Sequence, residues 1–310
     1  MSPASLVRAA LPRLPAVRDL VRIYGLNAKS ELSQNFILDK NVTDKILRSA
    51  KLPLEKALVV EVGPGPGLLT RSILDAGAER LQLADACTPG RVHIIHGDVL
   101  KTEHETVLAK AFASQEERGK LGVHLLGNLP FNIASPLLVS WLHAAEAKRG
   151  LFGLRSSAAA MTLMFQKEVA ERIVAPPDTR ERSRLSVMAQ TICHTQITYE
   201  VPPTVFVPMP KVAASVVQLL PRTKPMLEHG KSWKPPYIYH EDLVRHVFTK
   251  RRKSMRHILR HVIKDNPDRA DVLLQDAGVP SGNTRPAELA TEAFCQLTEL
   301  CYAEGIKVPR

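Results

Sequence analysis

The stretch VVEVGPGPG at 59–67 decides the fold. Residues 57–62 are an apolar, β-branched run with a single acid, Glu61, the pattern of a parallel strand buried on both faces. Gly63, Gly65 and Gly67 let the backbone come close to a ligand where a Cβ would intrude, and residues 68–76 resume with helical spacing. Many βαβ units carry a glycine-rich strand-to-helix turn. This one has prolines between its glycines and lacks the lysine of a phosphate-gripping P-loop, so it suits a nucleotide-like cofactor bound by backbone approach.

Some sixty residues on, GNLPF at 127–131 has the parts needed to hold an exocyclic amine. The N6 lone pair of a neutral adenine is delocalised into the ring, so an enzyme must orient the amine with acceptors and grip the ring by stacking. Asn128 Oδ1 and the Leu129 carbonyl are two acceptors, Pro130 stiffens the backbone that aims them, and Phe131 offers a stacking face. No carboxylate pair, Ser/His/Asp set or metal-ligand cluster competes for this role.

Working outward, 57–62, 91–96, 123–127, 161–165 and 196–201 read as strands, and 41–50, 136–147, 166–174 and 183–194 as helices, with a further helical pattern at 15–26. Alternating strands and helices imply a parallel α/β sheet covered on both faces. Residues 221–239, rich in proline and lysine, read as a linker, and 241–263, 268–277 and 286–302 as helices without strands. The expected organisation is an arm or transit segment over 1–27, an α/β domain over 28–222, a linker over 223–240 and a small helical domain over 241–310.

The 310 residues carry a formal charge of +11, which favours a polyanionic partner, although a generally basic protein is an equal reading of charge alone. No run of eighteen apolar residues exists, so no membrane span is expected. Cys87, Cys193, Cys295 and Cys301 lack metal-ligand spacing and read as reduced thiols with no zinc site. His240, His246, His257 and His261 read as facing solvent or RNA. The first eighteen residues hold Arg8, Arg13 and Arg18 and no acid before Asp19, the composition of a mitochondrial transit segment; a basic arm that contacts RNA is the alternative.

Eight blocks in order, LSQNFILD (32–39), EVGPGPG (61–67), HGDVL (96–100), GNLPF (127–131), FQKEVAER (165–172), SRLSVMAQ (183–190), VFVPMPKV (205–212) and FTKRRK (248–253), resemble the small-subunit rRNA adenine N6,N6-dimethyltransferases. LSQNF and MTLMFQK (161–167) are most similar to the mitochondrial branch, which includes the mitochondrial transcription factor B1 type. The resemblance implies a Rossmann-like methyltransferase domain that uses S-adenosylmethionine, followed by the helical domain. It implies dimethylation of two adjacent adenines near the 3′ end of small-subunit rRNA, in the mitochondrial matrix, on the assembling mitochondrial small ribosomal subunit. A non-catalytic RNA- or DNA-binding assembly factor, or one that serves the mitochondrial transcription machinery, is the alternative on the same fold.

By that resemblance Gln34, Asn35 and Ile37 belong to a loop that folds over the cofactor, with Phe36 as core. Glu61 accepts from the methionine moiety or the loop amides, Gly63 and Gly65 touch the cofactor, and Asp98 takes its adenine amine with the Val99 backbone on the ring nitrogen. Structural capping is the other reading of Glu61 and of Asp98. Phe206 matches an aromatic near the target base, or packs. Lys250, Arg251, Arg252, Lys253 and Arg256 form a phosphate-binding surface on successive helical turns, or a solvated face.

Two departures stand out. The family has a strand with a ribose-binding acid, a helix and a further strand between the glycine turn and HGDVL; here about a dozen residues are missing. Either GAERLQLAD (77–85) is the strand and Asp85 its acid, leaving little chain for a parallel crossover, or LQLADA (81–86) is helix and the strand is lost. Ala213 stands where the family commonly has an aspartate, which removes a structural hydrogen bond.

Overall fold

The computed structural model describes residues 19, 35–50, 54, 57–78, 80–83, 92–112, 121–154, 159–224, 226–227, 235–263 and 266–309. The 15–26 helix, the transit segment, Gln34, Asp85 and Cys87 lie outside the described residues, apart from Asp19.

The strand read from VVEV is β2 (Ala57–Val62), after a two-residue strand β1 (Phe36–Ile37). There follow β3 (Arg80–Leu83), β4 (Val92–Ile94), β5 (Gly122–Asn128), β6 (Ala160–Gln166), β7 (Cys193–Val201), β8 (Phe206–Val207) and β9 (Ala214–Pro221). Seven of these form one sheet in the order β4-β3-β2-β5-β6-β9-β7. Helices α1 (Lys40–Ala50) and α2 (Leu68–Asp75) pack on one face, and α4 (Phe131–Glu146) on the other, with α3 (His104–Ala111) between β4 and β5 in sequence. Side chains of β2 alternate between the two packed layers: Leu58 and Val60 join Leu125, Leu137 and Trp141, whereas Val59 joins Ile46, Ile73 and Leu126. Period-two alternation into two apolar layers is why the run reads as continuously hydrophobic.

The sheet is mixed, not parallel. β2 pairs in parallel with β3 and β5, but β9 runs antiparallel to both β6 and β7. The sequence reading missed β9 because buried polar residues interrupt its apolar run. Ser215 and Gln218 are buried there, and Gln218 is satisfied by donating to the Ala50 carbonyl and accepting from Gln196 Nε2 at 2.6 Å.

The shortened segment resolves in favour of the strand. Residues 80–83 are extended and pair with β2, Leu58 opposite Arg80, while β4 pairs in parallel with β3, Leu81 opposite Val92. The helical alternative for 81–86 is therefore corrected. β3 and β4 pair in parallel although only eight residues separate them, fewer than the dozen expected of a crossover. The eight residues 84–91 could span at most ~26–29 Å.

The remaining helices are α5 (Lys167–Val174), α6 (Arg184–Ile192), α7 (Tyr237–Thr249), α8 (Met255–Val262), α9 (Arg269–Asp276) and α10 (Thr291–Ala303). α4 starts at Phe131, five residues before the expected start at Pro136, which sits inside it. The single helix expected over 241–263 is two, broken at 250–254, where Ser254 caps α8 by accepting from the His257 amide. Tyr237 and His240 were assigned to the linker and are buried instead. The helical layer packs on the sheet domain through α6, whose Val187 joins Leu243, Leu259, Leu273 and Phe294.

A candidate cofactor and amine-binding site

The C-terminal ends of β2 and β5 lie side by side, with Val62 opposite Gly127, so the turn after β2 and the Asn-Leu-Pro-Phe segment after β5 wall one cleft. Closeness is enforced at two glycines. A Cβ on Gly127 would stand 3.0 Å from the Val62 carbonyl oxygen, and one on Gly65 would stand 2.8 Å from the Phe36 ring. Gly63 and Gly65 also have φ of +68° and +53°, which side-chain-bearing residues rarely adopt. Phe36, read from the sequence as core, lines the cleft together with Asn35 and Ile37, and Ile37 is also part of the core at 7% exposure.

Glu61 lines the floor and is buried. Its Oε2 accepts from Thr70 Oγ1 at 2.8 Å, while Oε1 is buried with no partner in the described structure. Burial pushes its carboxyl up to about 8, against the opposing pull of the Thr70 hydroxyl and amide. A carboxyl held this way is primed for a cationic or N–H-bearing ligand group, since an unmet buried acceptor is costly until it is paired. Thr70, which the sequence reading did not single out, orients it. Its position in the first turn of the cleft helix, nine residues after the acid, was the available signal.

Asn128 ends β5 and donates from Nδ2 to the Asn35 carbonyl at 2.8 Å. That bond ties the 35–37 segment to the Asn-Leu-Pro-Phe motif and leaves Oδ1 as the side chain's acceptor. Pro130 is the N-cap residue of α4 at φ −55°, Leu129 is buried beneath it, and Phe131 is half-buried at the rim of the cleft.

The other expected residues divide. Asp98 and Val99 are not among the cleft-lining residues. The Asp98 side chain is 49% exposed and accepts from the Leu100 amide at 3.0 Å, while Val99 packs against the core behind the sheet. Phe206 is corrected to a core residue: it is 2% exposed and pairs with Ile37, because the β1–β8 ribbon turns it inward. Lys250, Arg251, Arg252 and Lys253 sit on the turn between α7 and α8 rather than along one helix, with the last three exposed. Arg251 donates to the Arg180 carbonyl, and Arg256 pairs with Asp271, so Arg256 is a structural ion pair rather than a free phosphate ligand. His257 and His261 are exposed and His246 is half-buried, but His240 is inside. It is fully buried between Thr191 and Thr298 hydroxyls at 3.1 and 2.7 Å, with its pKa lowered to about 3 by burial.

Arg182 was also missed. Fully buried, it donates to the Ala175 and Leu289 carbonyls, Gln190 Oε1 and Thr291 Oγ1, joining the sheet domain to the helical one. Its partners come from separate places in the chain, so no local pattern announced it. Among the described residues, Cys193, Cys295 and Cys301 are free buried thiols, and no group of three metal-ligating side chains exists.

The family model described as ribosomal RNA adenine dimethylase matches residues 25–297. The chain belongs to the ribosomal RNA adenine dimethylase family. As a member it is a methyltransferase enzyme acting on rRNA adenine. Among relatives of this dimethylase, the Homo sapiens protein named dimethyladenosine transferase 1, mitochondrial, is 37% identical, covering 94% of this chain and 85% of its own length. The Drosophila melanogaster protein of the same name is 38% identical, covering 96% and 90%. A dimethyladenosine transferase from Plasmodium falciparum superposes with TM-score 0.65 at 22% identity, covering 88% of this chain and 100% of that one. The 23S rRNA methyltransferase ErmE superposes with TM-score 0.58 at 22% identity, covering 85% and 98%; both structures speak to the dimethylase's fold.

Proposed function

We propose that this dimethylase transfers methyl groups from S-adenosylmethionine to N6 of two adjacent adenines near the 3′ end of mitochondrial small-subunit rRNA, in the matrix, during assembly of the small ribosomal subunit. The observation that carries the reading is the Asn128–Asn35 hydrogen bond beside the unmet Glu61 oxygen: an aimed amide acceptor and an acid awaiting a cation share one cleft. The mitochondrial assignment is supported by the names of the relatives and by the arginine-bearing, acid-free first eighteen residues.

The residues present fit that cofactor on the test of Glu61 Oε1, a buried acceptor suited to an amino group, and of Gly63 and Gly65, where a Cβ would reach the Asn128 carbonyl or crowd the Phe36 ring. When bound, S-adenosylmethionine supplies an electrophilic methyl group on a sulfonium. Glu61 would take the amino end, the Gly63–Gly65 backbone would lie against the cofactor, and Asn35 and Phe36 would cover it. Asp98 and Val99 would serve the adenine end.

Asn128 Oδ1 and the Leu129 carbonyl accept the two N6 hydrogens, which turns the nitrogen lone pair towards the methyl, and Phe131 stacks on the ring. Orientation of this kind does the work of the step. The proton leaves N6 for solvent after transfer, because an alkylated, cationic amine is acidic. Lys250, Arg252 and Lys253 supply phosphate contacts that position the RNA without reading its sequence.

Calorimetric titration of the recombinant chain with S-adenosylmethionine, followed by methyl transfer to small-subunit rRNA, tests the reading. Binding with transfer to the paired adenines is the expected result. RNA binding without cofactor binding would instead favour the non-catalytic assembly or transcription factor, the second reading, for which the eight-residue connection between β3 and β4 speaks.

A further inference from the structure

We infer that Met209 is an apolar wedge that enters the RNA stack beside the target adenine and holds that base out of it. The inference rests on the reading that an adenine amine sits at Asn128. It shares the Asn128–Asn35 bond with that reading, but its observations on residues 206–213 are separate from the Glu61 and glycine-turn contacts that assign the cofactor.

The ribbon pairs Phe36 with Val207 and Ile37 with Phe206. The residue before Phe36 is Asn35, whose carbonyl accepts from Asn128, so the ribbon ends at Val207 beside the segment tied to Asn128. At its far end the same loop is fastened where the Lys167 amide donates to the Ala213 carbonyl at 2.9 Å, just past the end of β6. The backbone carbonyl thus anchors the turn where the family's aspartate is absent. The loop 208–213 therefore forms a rim from the ribbon's end beside the Asn35 segment to the end of β6, next to the cleft that Asn128 and Phe131 line.

Along that rim the side chains sort by direction. Pro208 and Pro210 are half-buried, whereas Met209 is 66% exposed and Val212 45%, with the exposed Lys211 between them. Met209 and Val212 are two of the six large apolar side chains exposed among the described residues, and these two share one short loop beside the cleft. Flanking prolines restrict the backbone in advance, so little ordering cost is left for binding. A base whose amine is to be methylated must leave its stack, and the unstacking cost is met by an apolar side chain filling the vacated step. Methionine suits the vacated step because it is unbranched, polarisable and adapts to irregular gaps against aromatic faces. Lys211 beside it supplies a cation for the adjoining phosphate.

The test uses the full chain and two RNAs with the same sequence around the target adenines. In one these lie in a hairpin loop closed by its stem; in the other the stem partner is removed. A 2-aminopurine next to the target reports unstacking by its fluorescence. For Met209→Ser we expect the fluorescence rise on binding the hairpin to be lost and kcat/KM on the hairpin to fall ~10-fold, with the unpaired RNA changed less than ~2-fold. Cofactor affinity should be unchanged, which also reports that the variant is folded. Met209→Leu should restore most of the hairpin activity. Equal loss on both RNAs, no loss on either, or no fluorescence rise with the parent chain would each overturn the wedge. No methyl transfer by the parent chain to either RNA would sink the proposed function and the wedge with it, whereas the overturning results above, with transfer by the parent chain intact, would sink the wedge alone.

Discussion

The cleft and the β3–β4 side of the sheet beside it are built very differently. In the cleft, proposed for the methionine portion, Glu61 is 6% exposed and fixed by Thr70, β2 and β5 are paired along six positions, and Asn128 is pinned to Asn35 at 2.8 Å. On the side proposed for the nucleoside portion, β3 and β4 pair over three positions only, Ile94 is 37% exposed, and Asp98 has a half-exposed side chain that caps its own turn. A hydrogen bond or charge pair made in a dry, rigid setting is worth more than one made in water. The contrast teaches that affinity and catalysis should be concentrated in the buried cleft, with the open side contributing modestly.

The largest effect is expected at the target amine. Asn128→Ala removes the side-chain acceptor, and methyl transfer should fall by about 10²–10³-fold, as for other oriented groups at reacting centres. Cofactor affinity should stay within a few-fold, since Glu61 and the glycine turn remain. Near-normal turnover by this variant would break the assignment of the motif.

Next comes Glu61. Its carboxyl is raised to about 8 in the folded, ligand-free chain, above its ordinary 4.5, so the folded state favours the neutral form. Stability of the ligand-free protein should therefore be fullest below pH 4.5 and decline as pH rises towards 8. A cationic ligand group reverses this preference: cofactor binding should release a proton and tighten as pH rises from about 6 to 8. Glu61→Gln should remove both dependences and weaken binding by ~10-fold or more, as a charge-assisted bond is lost. Calorimetry in buffers of differing ionisation heat reads the proton directly; pH-independent binding by the parent chain would contradict the pairing.

Gly65→Ala probes the approach of the turn to Phe36. A Cβ there meets the ring at 2.8 Å in a left-handed conformation, and a stability loss of about 1–2 kcal/mol is expected, with weaker cofactor binding. Thermal unfolding with and without cofactor would show whether the two losses are coupled.

On the open side, Asp98→Ala should weaken cofactor binding only by ~3–10-fold, the value of one partly solvated hydrogen bond. A loss as large as that of Glu61→Gln would invert the comparison. The smallest effects lie on the helical domain. Arg252→Ala should reduce the salt slope of RNA binding by about 1, while Arg256→Ala, whose guanidinium is committed to Asp271, should leave that slope unchanged. Equal slopes for the two variants would erase the distinction between exposed and paired cations.

What the sequence determined by itself is what repeats locally. The β-branched run and spaced glycines set β2 and its turn, helical periodicity set α1, α2, α5 and α6 nearly to the residue, and a short proline-stiffened motif marked residues that line the cleft. These features depend on neighbours a few positions away. Only the tertiary structure decided that β9 lies antiparallel between β6 and β7, because Gln218 finds its partners on β7 and at the end of α1. It also decided that Phe206 and His240 are inside, that Arg256 is neutralised by Asp271, and that Arg182 ties the two domains together. Each of these is a polar or aromatic residue whose place depends on a partner distant in sequence, and burial of such a group is favourable only once that partner has been brought to it.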